Sequence, residues 1–219
     1  MTLPFSDKSA LRVWAEQRNI LVGARKIAPS DAALLLPEEM TGPCAQRAEL
    51  RAASGAARVI ARELLSRLGA NCPALIKDID GVPIWPCGMV GSLAHDATHA
   101  MAAVAREEDV LALGADLEPD SPLAPEMLDL IATPAERARY DEDLLRSPTL
   151  FVVKEAVYKA IFPRERRFLD FHEIEVDLGA GRAYTRSGAI VEIALAGGRQ
   201  ICALAVINAA NYTARAKDV

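Results

Sequence analysis

Cysteine, histidine and aromatic residues are scarce in this chain, and each scarcity removes a class of function. Four cysteines, Cys44, Cys72, Cys87 and Cys202, are scattered over 219 residues. None forms a Cys-x-x-Cys pair or stands at zinc-ligand spacing from a histidine, so a structural zinc site and a disulfide framework are both disfavoured. Reduced thiols in a cytoplasmic protein are the expectation. Only 5% of residues are aromatic and only three are histidine. There is no Gly-x-x-x-x-Gly-Lys-Ser/Thr phosphate loop, no Gly-x-Gly-x-x-Gly and no Gly-x-Ser-x-Gly elbow. No apolar run approaches the roughly 20 residues that span a bilayer, and the amino end breaks early with Pro4 and charge, unlike a signal peptide. The formal net charge of −5 argues against a general nucleic-acid binder, which needs a basic surface.

What is present suits a globular chain: 51% hydrophobic and 25% charged residues, enough for one domain or two small halves sharing a core. Residues 1–45 mix short apolar runs with breakers. From Ala45 to Leu68 the spacing predicts a helix, with Ala53, Ala57, Ile60, Ala61 and Leu64 on one face. Arg47, Arg51, Arg58 and Arg62 fall within about 60° of one another on a neighbouring face. Glu49 and Glu63 point elsewhere, so the stripe suits a phosphate-rich ligand or an acidic partner, against the plain reading of a solvated charged face.

A short extended piece is expected near Leu75–Ile79. Three strands are then expected at Met89–His95, His99–Ala105 and Val110–Glu118, closed by Pro119, Pro122 and Pro125. Helices follow at Pro125–Ile131, at Pro134–Asp143 with Thr133 as cap, and at Pro148–Phe162. Strands return at Glu173–Asp177, Arg182–Arg186, Ile190–Ala194 and Gln200–Ile207. Strand clusters around a helical middle predict an α+β fold.

Three segments carry chemistry: Gly91-Ser92-Leu93-Ala94-His95, Gly114-Ala115-Asp116-Leu117-Glu118 and Lys154-Glu155-Ala156-Val157-Tyr158-Lys159-Ala160. Asp116 and Glu118, two apart on a strand, leave the same face. Such a pair repels itself unless a cation intervenes, and Mg²⁺ takes hard oxygen ligands of this kind. Glu155 and Lys159, four apart, share a helix face. Around them the helix is apolar nearly all round, so its charges need a partner. Taken singly, each segment also has a plain structural reading: acids at a strand end, a surface ion pair, a hydrogen-bonding histidine.

Together the segments resemble 4′-phosphopantetheinyl transferases of the surfactin/enterobactin type, from about Arg51 to Val206. The matching residues include Arg58, Ala61-Arg62, Pro83 to His95 and Phe151 to Ala160, continued by Ile161-Phe162-Pro163 and Leu169-Asp170-Phe171. The Trp85-Pro86-Cys87-Gly88-Met89-Val90-Gly91-Ser92 stretch points to the enterobactin-like branch. The resemblance implies two similar α+β halves related by a pseudo-twofold axis, residues 1–120 and 121–219, joined near 119–125 with coenzyme A between them. It implies transfer of the phosphopantetheine arm of coenzyme A to a serine of an apo acyl or peptidyl carrier protein, with release of 3′,5′-ADP, by a cytoplasmic monomer. It implies that Asp116, Glu118 and Glu155 bind Mg²⁺, with Glu155 also activating the serine. Lys159 and His95 would contact the diphosphate, and Arg51 and Arg58 the 3′-phosphate side. Ser92 and Lys154 would also line the site, and Asp116, Glu155, Lys159 and His95 form the expected catalytic set.

The chain departs from the family pattern in three places. Asp80-Gly81-Val82-Pro83 lacks the basic residue common before the tryptophan, with Lys77 as a substitute. Val152-Val153 replaces a small polar residue, and Asp96 follows His95 where a small residue is usual. Two rival readings stand beside this one: an Mg²⁺-dependent diphosphate hydrolase, and a non-catalytic relative that binds coenzyme A or a carrier protein.

Overall fold

A computed structural model describes residues 8–41, 47–71, 74–209 and 212. Cys44 and Cys72, and the expected helix start at Ala45, lie outside the described residues. Among those described, Cys87 is exposed, Cys202 is buried, and both are free thiols. No helix among them is long and apolar enough to cross a membrane.

The described residues begin with a helix, α1 (Lys8–Glu16), and a strand, β1 (Leu21–Lys26). Two 3-10 turns, Pro29–Leu34 and Pro37–Glu39, lead to α2 (Ala48–Arg67). Then come β2 (Met89–His95), β3 (His99–Arg106) and β4 (Ala112–Pro119). The helical middle is α3 (Pro125–Ile131), α4 (Pro134–Arg139), α5 (Glu142–Arg146) and α6 (Thr149–Glu165). Four strands finish it: β5 (Ile174–Asp177), β6 (Arg182–Thr185), β7 (Ile190–Ala196) and β8 (Gln200–Ile207).

Both sheets are antiparallel. One has the order β1-β3-β2 and the other β4-β8-β7-β6-β5. The mixed α+β expectation holds. The single helix expected over Pro134–Asp143 is two, because Tyr140 is extended and the Asp141 side chain caps a fresh start by accepting from the Leu144 amide at 2.9 Å. α1 and β1 were not anticipated.

The strand period sorts the core into layers. Ala100, Ala102 and Val104 of β3 pack with Ile60 and Leu64 of α2. Their alternates, Met101, Ala103 and Ala105, join Leu113, Ala115 and Leu117 of β4 and Leu204 and Val206 of β8. The other face of β8, Ala203 and Ala205, meets Val153, Ala156 and Val157 of α6. The order of layers is therefore α2, first sheet, second sheet, α6. Every residue of β8 is buried, which explains its unbroken apolar run.

Two consequences position the site. β4 lies just before the expected junction at 119–125 and hydrogen-bonds to β8, with Asp116 opposite Ala203 and Glu118 opposite Ile201. Since Leu113, Ala115 and Leu117 face the inner layer, Gly114, Asp116 and Glu118 face α6. Gly114 is the closest approach: a Cβ there would stand 1.9 Å from the Ala156 carbonyl oxygen and 2.7 Å from the Ala160 amide nitrogen. The glycine lets strand and helix touch, which brings the acids of β4 beside the charges of α6.

Candidate active site

Lys159 of α6 reaches across to β4, its Nζ 2.5 Å from Asp116 Oδ1. Asp116 is buried, and its other oxygen, Oδ2, has no hydrogen-bond partner. Burial raises the Asp116 pKa, while the Lys159 charge and hydrogen bond pull it down. Glu118 is pushed up to about 7, first by burial and then by repulsion from Asp116, Asp96 and Glu155, which Lys159 only partly offsets. Glu155 is also raised, by burial and by Asp116, against the pull of Lys159. The three acids thus sense one another and share one lysine.

His95, at the end of β2, joins the group from the other sheet. The residue is exposed, yet the protein around the ring lowers its pKa, as do the Lys159 and Lys77 charges, with Asp116 acting in opposition. Among the described residues, no three His, Cys, Asp or Glu side chains stand close enough to hold a metal ion as they are placed.

Beside this cluster opens a cavity of about 390 Å³. Arg58 and Ser54 of α2, Lys77, Ser92 and His95, and Tyr158 and Lys159 of α6 line it. The indole of Trp85 explains the glycine of the Gly-Ser-x-x-His segment. A Cβ on Gly91 would lie 2.6 Å from Trp85 Cη2 and 2.8 Å from the Ala103 carbonyl oxygen. The tryptophan can lie this close to β2 only where no side chain stands.

Not every expected residue arrives. Arg58 reaches the cavity wall, but as a buried side chain, its Nε donating to the Leu75 carbonyl at 2.9 Å and its guanidinium bonded to Ser54. Arg51, two turns earlier on α2, does not line the cavity. The stripe that looked free of acids has one: buried Glu39 accepts from Arg62 Nη1 at 2.7 Å and stands 3.8 Å from Arg58 Nε. That acid comes from a 3-10 turn 23 residues upstream of Arg62, beyond any helical spacing.

Lys154 is not brought to the cavity. Its ammonium is fully buried, donating to Glu136 Oε2 at 2.7 Å and to the carbonyls of Ile131 and Phe171 at 2.8 and 3.0 Å. Tyr158 was missed, although it shares the Glu155 side of α6 and burial and Glu155 raise its pKa. Lys77, noted only as a substitute, takes a place in the cavity wall.

Comparison with known proteins identifies the family of the chain. Residues 44–105 match the 4′-phosphopantetheinyl transferase N-terminal domain and residues 112–210 the 4′-phosphopantetheinyl transferase superfamily. The chain is 37% identical over 183 residues to 4′-phosphopantetheinyl transferase Svp of Streptomyces mobaraensis, covering 80% of this chain and 74% of that one. It is 38% identical over 145 residues to 4′-phosphopantetheinyl transferase PptT of Mycobacterium tuberculosis, 64% of each. It is 34% identical over 126 residues to enterobactin synthase component D of Escherichia coli (strain K12), 54% of this chain and 59% of that one. The chain belongs to the 4′-phosphopantetheinyl transferase superfamily and is an enzyme of that type.

Proposed function

We propose that the chain transfers the 4′-phosphopantetheine arm of coenzyme A to a serine of an apo carrier protein, releasing 3′,5′-ADP in an Mg²⁺-dependent reaction. One observation carries the reading: Lys159 and Asp116 bind each other beside a cavity whose walls also present Arg58, Lys77 and His95. The cations Arg58, Lys77 and Lys159, spread around 390 Å³, suit a ligand with three phosphates, to which His95 adds a ring N–H donor. Similarity to enterobactin synthase component D supports a carrier of a siderophore or nonribosomal peptide synthetase. The reading is of a cytoplasmic monomer, and residues of both sheets and of α2 and α6 of one chain line the cavity.

The donor chemistry of these residues suits a hard divalent cation, toward which the acids would draw together from where they stand. Asp116 Oδ2 is a buried acceptor without a donor among the described residues, and Glu118 and Glu155 carry raised pKa values first through burial and then through repulsion from the neighbouring acids. Asp116, Glu118 and Glu155 would hold Mg²⁺, which when bound neutralises diphosphate charge. Lys159 and His95 donate to phosphate oxygens, and the Arg58 side of the cavity orients the nucleotide end. Glu155, with its raised pKa, accepts the proton of the attacking serine hydroxyl. The serine oxygen bonds to the β-phosphorus as the bond to the departing 3′,5′-ADP oxygen breaks. Alignment and charge neutralisation are the main demands of such a transfer.

The test is intact-protein mass spectrometry on a panel of apo carriers with coenzyme A and Mg²⁺. A mass gain of one phosphopantetheine arm is expected. Hydrolysis of coenzyme A without that gain would establish the diphosphate hydrolase instead. Binding without either reaction would leave a non-catalytic relative.

A further inference from the structure

The segment Ile76–Ile84 is a small hairpin that walls the cavity, and core burial holds it only loosely. Leu75 before it is buried, but Ile76, Ile84 and above all Ile79, at 99% exposure on the tip, are open to solvent. Internally the hairpin is well made. The Ile84 amide donates to the Ile76 carbonyl at 2.9 Å and the Asp78 amide to the Val82 carbonyl at 2.9 Å, around Gly81 at φ 81°. Asp78 Oδ1 accepts from the amides of Asp80 and Val82, which stiffens the turn. That leaves Oδ2 of Asp78 and the carboxylate of Asp80 for an outside partner.

The partner is Arg166, one residue past the end of α6. Its Nη1 stands 2.6 Å from Asp78 Oδ2 and 2.9 Å from Asp80 Oδ2. Arg166 also holds a left-handed backbone, φ 51° and ψ 31°, where its amide closes the helix on the Phe162 carbonyl. Glycine or asparagine fits that conformation best, so arginine stands there against its backbone preference. The same helix carries Lys159, and the hairpin carries Lys77, Asp80 and Val82 of the opposite cavity wall.

We propose that Arg166 is a positioning residue for donor binding, which fixes the hairpin 76–84 at its working distance from α6 through Asp78 and Asp80. The inference rests on the reading of the cavity as the coenzyme A site. It assigns to Asp80 the task of gripping a cation from the other side of the cavity. Because the two ion pairs are partly exposed, the wall they hold can yield to an entering ligand and close again.

Arg166→Gly isolates this role, because glycine suits the backbone while removing the guanidinium. The expected result is a rise in the KM for coenzyme A of roughly threefold to tenfold, the loss of two partly exposed ion pairs. The kcat and the KM for the carrier stay as in wild type, and the melting temperature stays within about 2 °C. In the ligand-free protein, amide exchange at Asp78 and Val82 accelerates while exchange in β3 and β8 does not. Arg166→Lys, which keeps the charge and loses the fork, falls between the two. Wild-type coenzyme A binding and wild-type hairpin exchange in Arg166→Gly would overturn the role of Arg166 and leave the function standing. Wild-type protein that binds no coenzyme A would overturn both.

Discussion

Asp116 faces Lys159 with one oxygen and buried, unpartnered space with the other. The Nζ–Oδ1 contact of 2.5 Å satisfies half of the carboxylate, and Oδ2 has no donor among the described residues. A buried acceptor left open costs free energy that folding alone does not recover. Asp116→Asn therefore separates stability from activity. It removes a buried charge, and Lys159, with 30% of its side chain exposed, can turn to water. The thermal midpoint should hold or rise, while Mg²⁺-dependent turnover falls by at least about 100-fold. Calorimetry and steady-state kinetics on one preparation check both halves.

Glu118 ties stability to pH. Its carboxyl rises from an ordinary 4.5 to about 7 in the fold. Between those values the unfolded chain has released a proton that the native chain keeps, so this group lowers stability as pH climbs through that window. His95, with its lowered pKa, acts oppositely as pH falls below 6.5, so the Glu118 contribution has to be read by difference. Glu118→Gln should melt above wild type at pH 8 and approach it near pH 5. Mg²⁺ binding should release a proton near pH 6 and little at pH 8.5, as titration calorimetry in buffers of differing ionisation enthalpy will register.

Gly114 determines whether the acids and lysines meet at all. A methyl group there collides with the Ala156 carbonyl and the Ala160 amide, both main-chain atoms of α6 that cannot rotate aside. Gly114→Ala should cost about 1–3 kcal/mol or more by forcing β4 and α6 apart. It should also weaken turnover beyond the stability loss, since the shift lengthens the Lys159–Asp116 contact. Denaturant midpoints, with activity measured far below the transition, distinguish the two effects.

The parts of this site that were legible in the sequence are those set by local period. Asp116 and Glu118 share a face because strands alternate, and Glu155 and Lys159 because helices repeat near four. β3 and β8 were legible because strands buried on both faces read as apolar runs. The arginine stripe misled, because the acid that answers Arg62 arrives from a 3-10 turn 23 positions away. α1 escaped notice because its buried contribution is narrow: among the residues whose burial is described, only Leu11 and Ala15 are fully covered. β1, reading Leu-Val-Gly-Ala-Arg-Lys, hides its strand behind a glycine and two cations. The fate of Lys154 depends on Glu136, 18 residues earlier, and no spacing rule connects them.

Lys154 provides the sharpest contrast between neighbours, since Glu155 beside it belongs to the acidic cluster. Its ammonium has three acceptors in the protein, and Glu136 also accepts from the amides of Thr133 at 2.8 Å and Val176 at 2.7 Å. The pair pins α6 to the start of α4 and to β5. Burial lowers the Lys154 pKa while Glu136 raises it, so the pair survives as a pair. Lys154→Met strands a buried carboxylate and should destabilise by about 3–5 kcal/mol. Adding Glu136→Gln, which keeps an acceptor for the two amides but discards the charge, should recover part of that loss. Because the ammonium points away from the cavity, the folded fraction of Lys154→Met should bind coenzyme A within about twofold of wild type, well under 1 kcal/mol. A tenfold loss of affinity at an unchanged melting temperature would mean instead that Lys154 leaves Glu136 and turns to the diphosphate.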